Sequence, residues 1–362
     1  MKKILIASYN LDFGGIETSL INLLKNFDLN KYNITLVLEK KEGVFLNDVP
    51  SGIKIKEYKV SDNKNIFIRK FINLLKRIKW LLFNYKRYDS SICYATYSGP
   101  CSFLARTASS NRILYVHSNY YQAFDKDEKE TIFFFNNIKI NKYNHIVFVS
   151  NEARNDMVKL MPNIKNKVVT INNLIDYKRI LKLSKEKTDI KKDNKKIFLF
   201  IGRLDETSKR LSLLLDVAKK SKKEKLNNEF WIIGSGPDEV FYNDKKREEN
   251  LDNVMFFGPK KNPYPYLKLC DYLILTSRYE GFPVIYNEAI ILNKPIVTTI
   301  DVTDDFISIP NRFGYVINEK NIFKKVKELT INDFKLKENV DYEKLNKQRI
   351  KKIEELMENK ND

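Results

Sequence analysis

Short apolar runs alternate with longer helix-like segments, and the alternation occurs twice along a chain of 362 residues. In the first half, strands are predicted at residues 4–8, 34–38, 91–94, 112–117 and 145–150, and helices at 17–27, 66–85 and 152–160. The second half repeats the pattern, with strands at 197–201, 229–233, 254–258, 272–276 and 295–299. Its helices are expected at 211–220, 264–269 and 283–292. Strands joined through crossover helices run parallel, so the expectation is an α/β chain with two doubly wound, Rossmann-like sheets. Ligand sites in such sheets lie at the carboxyl ends of the strands.

The halves meet at Ile171-Asn172-Asn173-Leu174-Ile175-Asp176, which leads into a charged, apolar-poor stretch over residues 185–196. This predicts an N-terminal domain over 1–176, a second domain over 177–340 and a C-terminal helix within 341–362. Beyond Gly314 the text is charged and helical, at 321–329 and 342–359, with no strand signal.

Composition narrows the surroundings. Hydrophobic residues make up 43% of the chain, enough for two cores, yet no run of about 18 uncharged apolar residues could span a membrane. The start, Met1-Lys2-Lys3-Ile4-Leu5-Ile6-Ala7, is too short in apolar residues for a signal peptide and is expected to be a buried strand. The three cysteines form no CxxC pair and only two histidines accompany them, so a reducing cytoplasm is expected and no metal cluster. A net charge of +19 fits a Lys-rich codon bias, an anionic membrane surface, a phosphorylated ligand or nucleic acid.

The motifs favour a phosphorylated ligand. Of only 11 glycines, Gly14, Gly15, Gly202, Gly234, Gly236, Gly258 and Gly281 all fall in loops after predicted strands. Gly14-Gly15 opens the first long helix, where a ligand could approach backbone amides, but the spacing is not the dinucleotide fingerprint. Arg203 follows Gly202 at a strand end, and Lys209 lies six residues on, a pair of cations suited to a diphosphate. Ser277 to Glu288 places Glu280 in a tight Gly/Pro turn and Glu288 in the following helix, carboxylates that can grip hydroxyl groups. The Asp-x-Asp at Asp125-Lys126-Asp127 sits in a polar run and is expected to be a solvated turn.

With these residues the chain resembles the retaining glycosyltransferases of the GT-B fold, family 4, which build capsule, exopolysaccharide and lipopolysaccharide chains. The resemblance runs through Gly14-Gly15-Ile16-Glu17, Val116-His117-Ser118, Asn173-Leu174-Ile175-Asp176, Gly202-Arg203-Leu204 with Lys209, Gly234-Ser235-Gly236-Pro237, Phe257-Gly258, and Glu280-Gly281-Phe282-Pro283 with Glu288. It implies two domains across a cleft, with the C-terminal helix returning to the first. It implies that Glu280 binds donor-sugar hydroxyls, and that backbone around Gly281, Phe282 and Val284 faces sugar and phosphate. Glu288 would bind ribose, Arg203 and Lys209 the diphosphate, Phe257 and Gly258 the base, and His117 would sit near the reacting sugar. Gly14, Gly15, Gly202 and Gly236 would line the donor site. The donor is expected to be a UDP-sugar, used without a metal or other cofactor. Departures are Asn293 two before Pro295, where glycine is usual, Asp301-Val302-Thr303-Asp304-Asp305 in place of a Gly-rich turn, and Leu174 in place of proline.

Residues 66–87, from Ile66 to Arg87, carry seven basic and no acidic side chains among Ile, Leu, Phe, Trp and Tyr. Such a helix either packs on its own sheet with a solvated basic face or lies on an anionic membrane surface. The expected enzyme is therefore cytoplasmic and peripheral on the inner face of the plasma membrane. It would act on a saccharide or lipid-linked saccharide, with no nucleic-acid partner. The alternative is a non-catalytic basic GT-B-like protein that binds a membrane surface or nucleic acid.

Overall fold

The structure, a computed structural model, describes residues 1–358 apart from Phe13, Asp189, residues 280–283, residues 301–311, Lys335, Lys337 and Asn339. The chain divides into two units, Met1–Ile175 with Glu343–Asp362, and Asp176–Tyr342.

The first unit runs β1 (Lys2–Ser8), α1 (Gly15–Asn26), β2 (Tyr32–Leu38), β3 (Lys54–Glu57), α2 (Ile66–Asn84), β4 (Ser90–Cys93) and α3 (Gly99–Ala108). It continues β5 (Asn111–Val116), α4 (Tyr120–Ala123), α5 (Glu128–Asn137), β6 (His145–Phe148), α6 (Asn151–Leu160) and β7 (Val168–Thr170). Its strands form a parallel sheet in the order β3-β2-β1-β4-β5-β6-β7. Ile4, Leu5, Ile6 and Ala7 of central β1 are all 0% exposed, as a strand covered by helices on both faces requires.

The second unit runs α7 (Tyr177–Leu183), β8 (Lys196–Ile201), α8 (Leu211–Lys223), β9 (Asn228–Ile233), α9 (Glu239–Glu248), β10 (Val254–Phe256) and α10 (Tyr264–Leu269). There follow β11 (Tyr272–Leu275), α11 (Val284–Ile291), β12 (Ile296–Thr298), β13 (Gly314–Val316), α12 (Ile322–Ile331) and α13 (Tyr342–Glu358), most of which belongs to the first unit. The sheet is parallel in the order β10-β9-β8-β11-β12-β13. Two doubly wound parallel sheets are thus present, as expected.

Three strands escape the sequence pattern. β3 and β13 are edge strands and β7 another, each of three or four residues, too short for a clear period. β13 corrects the expectation that nothing but helix follows Gly314. Gly314 pairs with Ile296 at φ 150, and a Cβ there would stand 1.8 Å from the Ile296 carbonyl oxygen. Asn293 takes the left-handed conformation that its place before Pro295 calls for, with φ 57.

Within the first unit α13 is tied down by polar contacts as well as by buried Leu345, Ile353 and Met357. Asn346 Nδ2 donates to the Ile175 carbonyl at 2.6 Å and its Oδ1 accepts from the Ile175 amide at 3.0 Å. Arg349 Nη1 donates to the Asn173 carbonyl at 2.8 Å, and Asn22 Nδ2 of α1 donates to the Leu174 carbonyl at 3.0 Å. The Asn173-Leu174 departure from the family pattern is thereby held by helices on either side.

Candidate functional site

A doubly wound sheet presents its crevice where strand order reverses, which here is between β1 and β4 and between β8 and β11. The described sequence candidates lie in the loops after β1, β5, β8, β9 and β10 and in α11.

In the second unit, the loops after β8, β9 and β10 are joined edge to edge. The Gly202 amide donates to the Ile233 carbonyl at 3.0 Å, the Leu204 amide to Ser235 at 3.0 Å and the Gly234 amide to Gly258 at 3.1 Å. Such close approach explains two of the glycines. A Cβ on Gly234, at φ 146, would lie 1.9 Å from the Gly202 oxygen, and one on Gly236 2.2 Å from the Leu204 oxygen. Gly258 has φ 66 and nothing within 4 Å of where a Cβ would stand, leaving open space beside the backbone. Phe257 stands in the same row, edge-on to Trp231 at 5.5 Å and 5.4 Å from Tyr266.

Arg203 extends from this row with 69% of its side chain exposed, its nearest carboxylate being Asp205 at 4.0 Å. Lys209 folds back toward it, with its Cε 3.9 Å from where a Gly202 Cβ would be. Arg210, a residue without an assigned role at the sequence level, fastens this loop to the end of β11. At φ 48 it donates from Nε to the Thr276 carbonyl at 3.0 Å and from Nη2 to Ser277 at 3.2 Å, and it pairs with Glu319. Thr276 Oγ1 in turn donates to the Lys209 carbonyl at 2.9 Å, and the Arg278 amide to Ser208 at 2.8 Å. The cationic loop is thus held against the segment that leads into Glu280. Glu280, Gly281, Phe282 and Pro283 lie outside the described residues, and Val284 is the first residue of α11.

Glu288 is buried in α11, with 8% of its surface exposed. Tyr264 Oη donates to its Oε1 at 3.0 Å. Burial pushes its carboxyl up to about 7, against the opposing pull of the Tyr264 hydrogen bond and the Arg179 charge. Tyr264 and Arg179 come from α10 and α7, and nothing local in the sequence marks either of them as a partner. The raised carboxyl makes stability depend on pH. A folded-state value of about 7 against 4.5 unfolded means the folded state holds the proton longer, so this contribution is full below 4.5 and is lost as pH rises through 7. Glu288→Gln is expected to flatten that decline by on the order of 3 kcal/mol, read as the wild-type minus variant difference in urea unfolding between pH 4.5 and 8.

In the first unit His117 follows β5 directly and is 8% exposed. It stacks on Tyr115 at 5.6 Å and meets Tyr94 at 4.4 Å, and Tyr94 is itself held by Ser19 Oγ at 2.6 Å. Neither ring nitrogen makes a well-aligned hydrogen bond among the described residues, the Tyr94 backbone being the ring's near polar neighbour. Burial lowers the imidazole to about 3, so it stays neutral near pH 7 and offers one donor and one acceptor. Gly14 caps α1 in extended backbone at φ 178, and Gly15 has nothing within 4 Å of a Cβ position. Neither glycine is held in a left-handed conformation. Gly15 leaves open space at the start of α1, whereas a Cβ on Gly14 would stand 2.1 Å from Glu17 Oε2. Glu17 behind them is buried, which raises its carboxyl.

No group of three or more His, Cys, Asp or Glu side chains is arranged to hold a metal among the described residues. Asp127 caps α5, accepting from the Glu130 amide at 2.9 Å. Asp125 and Lys126 form a turn at positive φ.

Residues 13–179 match Glycosyltransferase Family 4 and residues 182–349 match Glycosyl transferases group 1. These matches take in both sheets, and the chain belongs to this family of glycosyltransferases, with the GT-B architecture. The capsular polysaccharide biosynthesis glycosyltransferase CapH of Staphylococcus aureus is 26% identical, over 92% of this chain and 94% of CapH. The poly(ribitol-phosphate) alpha-N-acetylglucosaminyltransferase of S. aureus strain COL is 28% identical over 67% of this chain, and an uncharacterized glycosyltransferase of Methanocaldococcus jannaschii is 26% identical over 52%. The chain spans about half the length of these two, 48% and 47%. Among solved structures, Anabaena HepE in complex with UDP and glucose superposes with a TM-score of 0.76 at 14% identity, covering 98% of this chain and 100% of that one. A variant of S. aureus TarM, in complex with fondaparinux, alpha-GlcNAc-glycerol and UDP, gives 0.71 at 18% identity, covering 98% and 97%. At these identities the structures speak for the fold.

Proposed function

We propose that the chain is a retaining glycosyltransferase of cell-surface polysaccharide synthesis, moving a sugar from a UDP-sugar to a saccharide acceptor that is lipid-linked. The observation that carries this is the joined row of glycine loops beside the β8/β11 switch point, with Arg203 and Lys209 rising from it and buried Glu288 nearby in the same unit. UDP as the carrier is supported by the UDP named with HepE and with TarM.

In this reading the base lies against Phe257 and Gly258, the ribose hydroxyls donate to Glu288, and the diphosphate rests on the Gly202–Gly236 loops between Arg203 and Lys209. Glu280 and the backbone of Gly281, Phe282 and Val284 hold the sugar and its phosphate. The bond from the anomeric carbon to the diphosphate oxygen breaks, and the two cations stabilise the charge that builds on the leaving group, with no metal assigned a part. The acceptor hydroxyl bonds to the anomeric carbon from the same face and passes its proton to the leaving diphosphate oxygen, so configuration is retained. Neutral His117 hydrogen-bonds the transferred sugar without taking up charge. Gly15 opens the start of α1 to the substrate, with Gly14 beside the Glu17 carboxylate. Glu280 and Glu288 serve as a clamp, not as a hydrolase acid and base. Localisation at the inner face of the plasma membrane belongs to the same proposal. No helix among the described residues is long and apolar enough to cross a membrane.

A melting-temperature screen against UDP-, GDP- and ADP-sugars tests the donor assignment, since a ligand of the folded state raises apparent stability by mass action. UDP and UDP-sugars are expected to raise the transition of the wild type and to leave that of Glu288→Ala unmoved. A screen in which no nucleotide shifts the wild type removes the donor site.

A further inference from the structure

A buried chain of hydrogen bonds in the first unit ends against the imidazole of His117. It starts on α13, where Arg349 Nη1 donates to the Asn173 carbonyl at 2.8 Å. Asn173 Oδ1 accepts from Ser19 Oγ of α1 at 2.6 Å, and Ser19 Oγ lies 2.6 Å from Tyr94 Oη. With the one Ser19 proton committed to Asn173, the Tyr94 hydroxyl is the donor to Ser19. All four residues are buried, and the chain joins α13, the segment after β7, α1 and the end of β4.

The Tyr94 ring forms one wall of a slot. It meets the imidazole at 4.4 Å and 51°, Tyr115 stacks on the imidazole at 5.6 Å and 20°, and the two tyrosines meet each other at 5.0 Å. A phenylalanine would fill the same wall, so packing alone does not call for the hydroxyl or for the polar residues that hold it. What the hydroxyl adds is a fixed ring position, because a fully satisfied buried network rigidifies the groups in it. The group placed in this way is a buried imidazole with no well-aligned hydrogen bond of its own. Buried polar groups are ordinarily satisfied, and a sugar hydroxyl would complete this one. Burial and the Tyr94 backbone act on the ring, Glu17 of α1 acts on the Tyr94 hydroxyl, and Asp156 of α6 is engaged by Asn119 at 2.9 Å.

We propose that Tyr94 is a positioning residue for His117: pinned through Ser19 and Asn173, its ring fixes the plane of the imidazole and shuts water from it, so that a ring nitrogen is presented to the transferred sugar in one orientation. The inference deepens the reading above and rests on it, since it is there that His117 meets the sugar. Small misplacements at a reacting centre cost large factors in rate, which is why a hydrogen-bonding ring needs such support. A loosened ring would admit water, regain its proton in the ordinary histidine range and cease to accept from a sugar hydroxyl.

An imidazole titration and a double-mutant cycle test it. The chain holds two histidines, so histidine-labelled protein gives two imidazole signals, and His117→Asn tells which belongs to His117. The wild-type signal is expected to stay that of a neutral ring from about pH 8 down to about pH 5, and in Tyr94→Leu to titrate near about 6.5. Ser19→Ala and Tyr94→Phe, which remove the pin and keep the wall, should each lower kcat on a UDP-sugar about tenfold, with KM for the donor within about twofold. In the His117→Asn background Ser19→Ala should lower kcat no further, because a positioning residue acts through the group it positions. A His117 signal that titrates alike in wild type and Tyr94→Leu overturns the proposal. So does a loss from Ser19→Ala that is equal with and without His117, the behaviour of a residue that only holds the fold. The titration needs no nucleotide, so it can fail while UDP-sugar turnover stands, and turnover can fail while the titration holds.

Discussion

Gly234→Ala is expected to destabilise the second unit by about 3 kcal/mol and to abolish measurable nucleotide binding. The Cβ would stand 1.9 Å from the Gly202 carbonyl oxygen, an atom of the neighbouring backbone that no rotamer can move, and φ 146 is a conformation alanine rarely takes. Relief requires the β8 and β9 loops to part, which breaks the Gly202–Ile233 and Leu204–Ser235 hydrogen bonds that align the cationic loop. For a unit of this size the melting transition should fall by roughly 6–12 °C. Gly15→Ala is the contrast, because nothing lies within 4 Å of its Cβ position and its stability should change by about 1 kcal/mol or less. Equal losses in the two variants would show that the joined loops are not what holds this region.

Arg203→Ala and Lys209→Ala are each expected to lower kcat by about 10²- to 10³-fold, with smaller effects on KM. Cations aimed at a leaving diphosphate interact most strongly when its charge is greatest, so their loss falls on the transition state more than on donor binding. The double variant should lose less than the product of the two, since both act on one charge. Stability separates this from a folding defect. Arg203 has 69% of its side chain exposed and its nearest carboxylate 4.0 Å away, so the alanine should leave the unfolding midpoint in place. A fall in activity matched by a fall in melting temperature would assign Arg203 to structure.

The central strands were legible because a strand covered on both faces must be apolar throughout, as Ile4–Ala7 and Phe198–Phe200 are. The edge strands β3 and β13 were not. Lys54-Ile55-Lys56-Glu57 is charged because an edge meets water, and Gly314-Tyr315-Val316 is three residues long, too short to show a period. Helix α9, with a single fully buried residue in Tyr242, is polar enough to pass for a loop. At the site, residues at strand ends announce themselves by glycine and charge. Tyr264, Arg179 and Arg210 do not, because their partners are distant in the chain or are backbone carbonyls with no residue signature. The raised carboxyl of Glu288 follows from burial, which no spacing reveals. For α2 the amphipathic pattern was plain, but only the contacts of Trp80, with Thr107 and Tyr58, tell which face is turned out.

Donor chemistry at the second unit is measured by UDP release from UDP-sugars in the presence of a saccharide acceptor. Release by the wild type is expected to depend on acceptor, with Arg203→Ala slower by about 10²-fold at an unchanged melting temperature. No release from any UDP-sugar, or release at the same rate by wild type and Arg203→Ala, would contradict it.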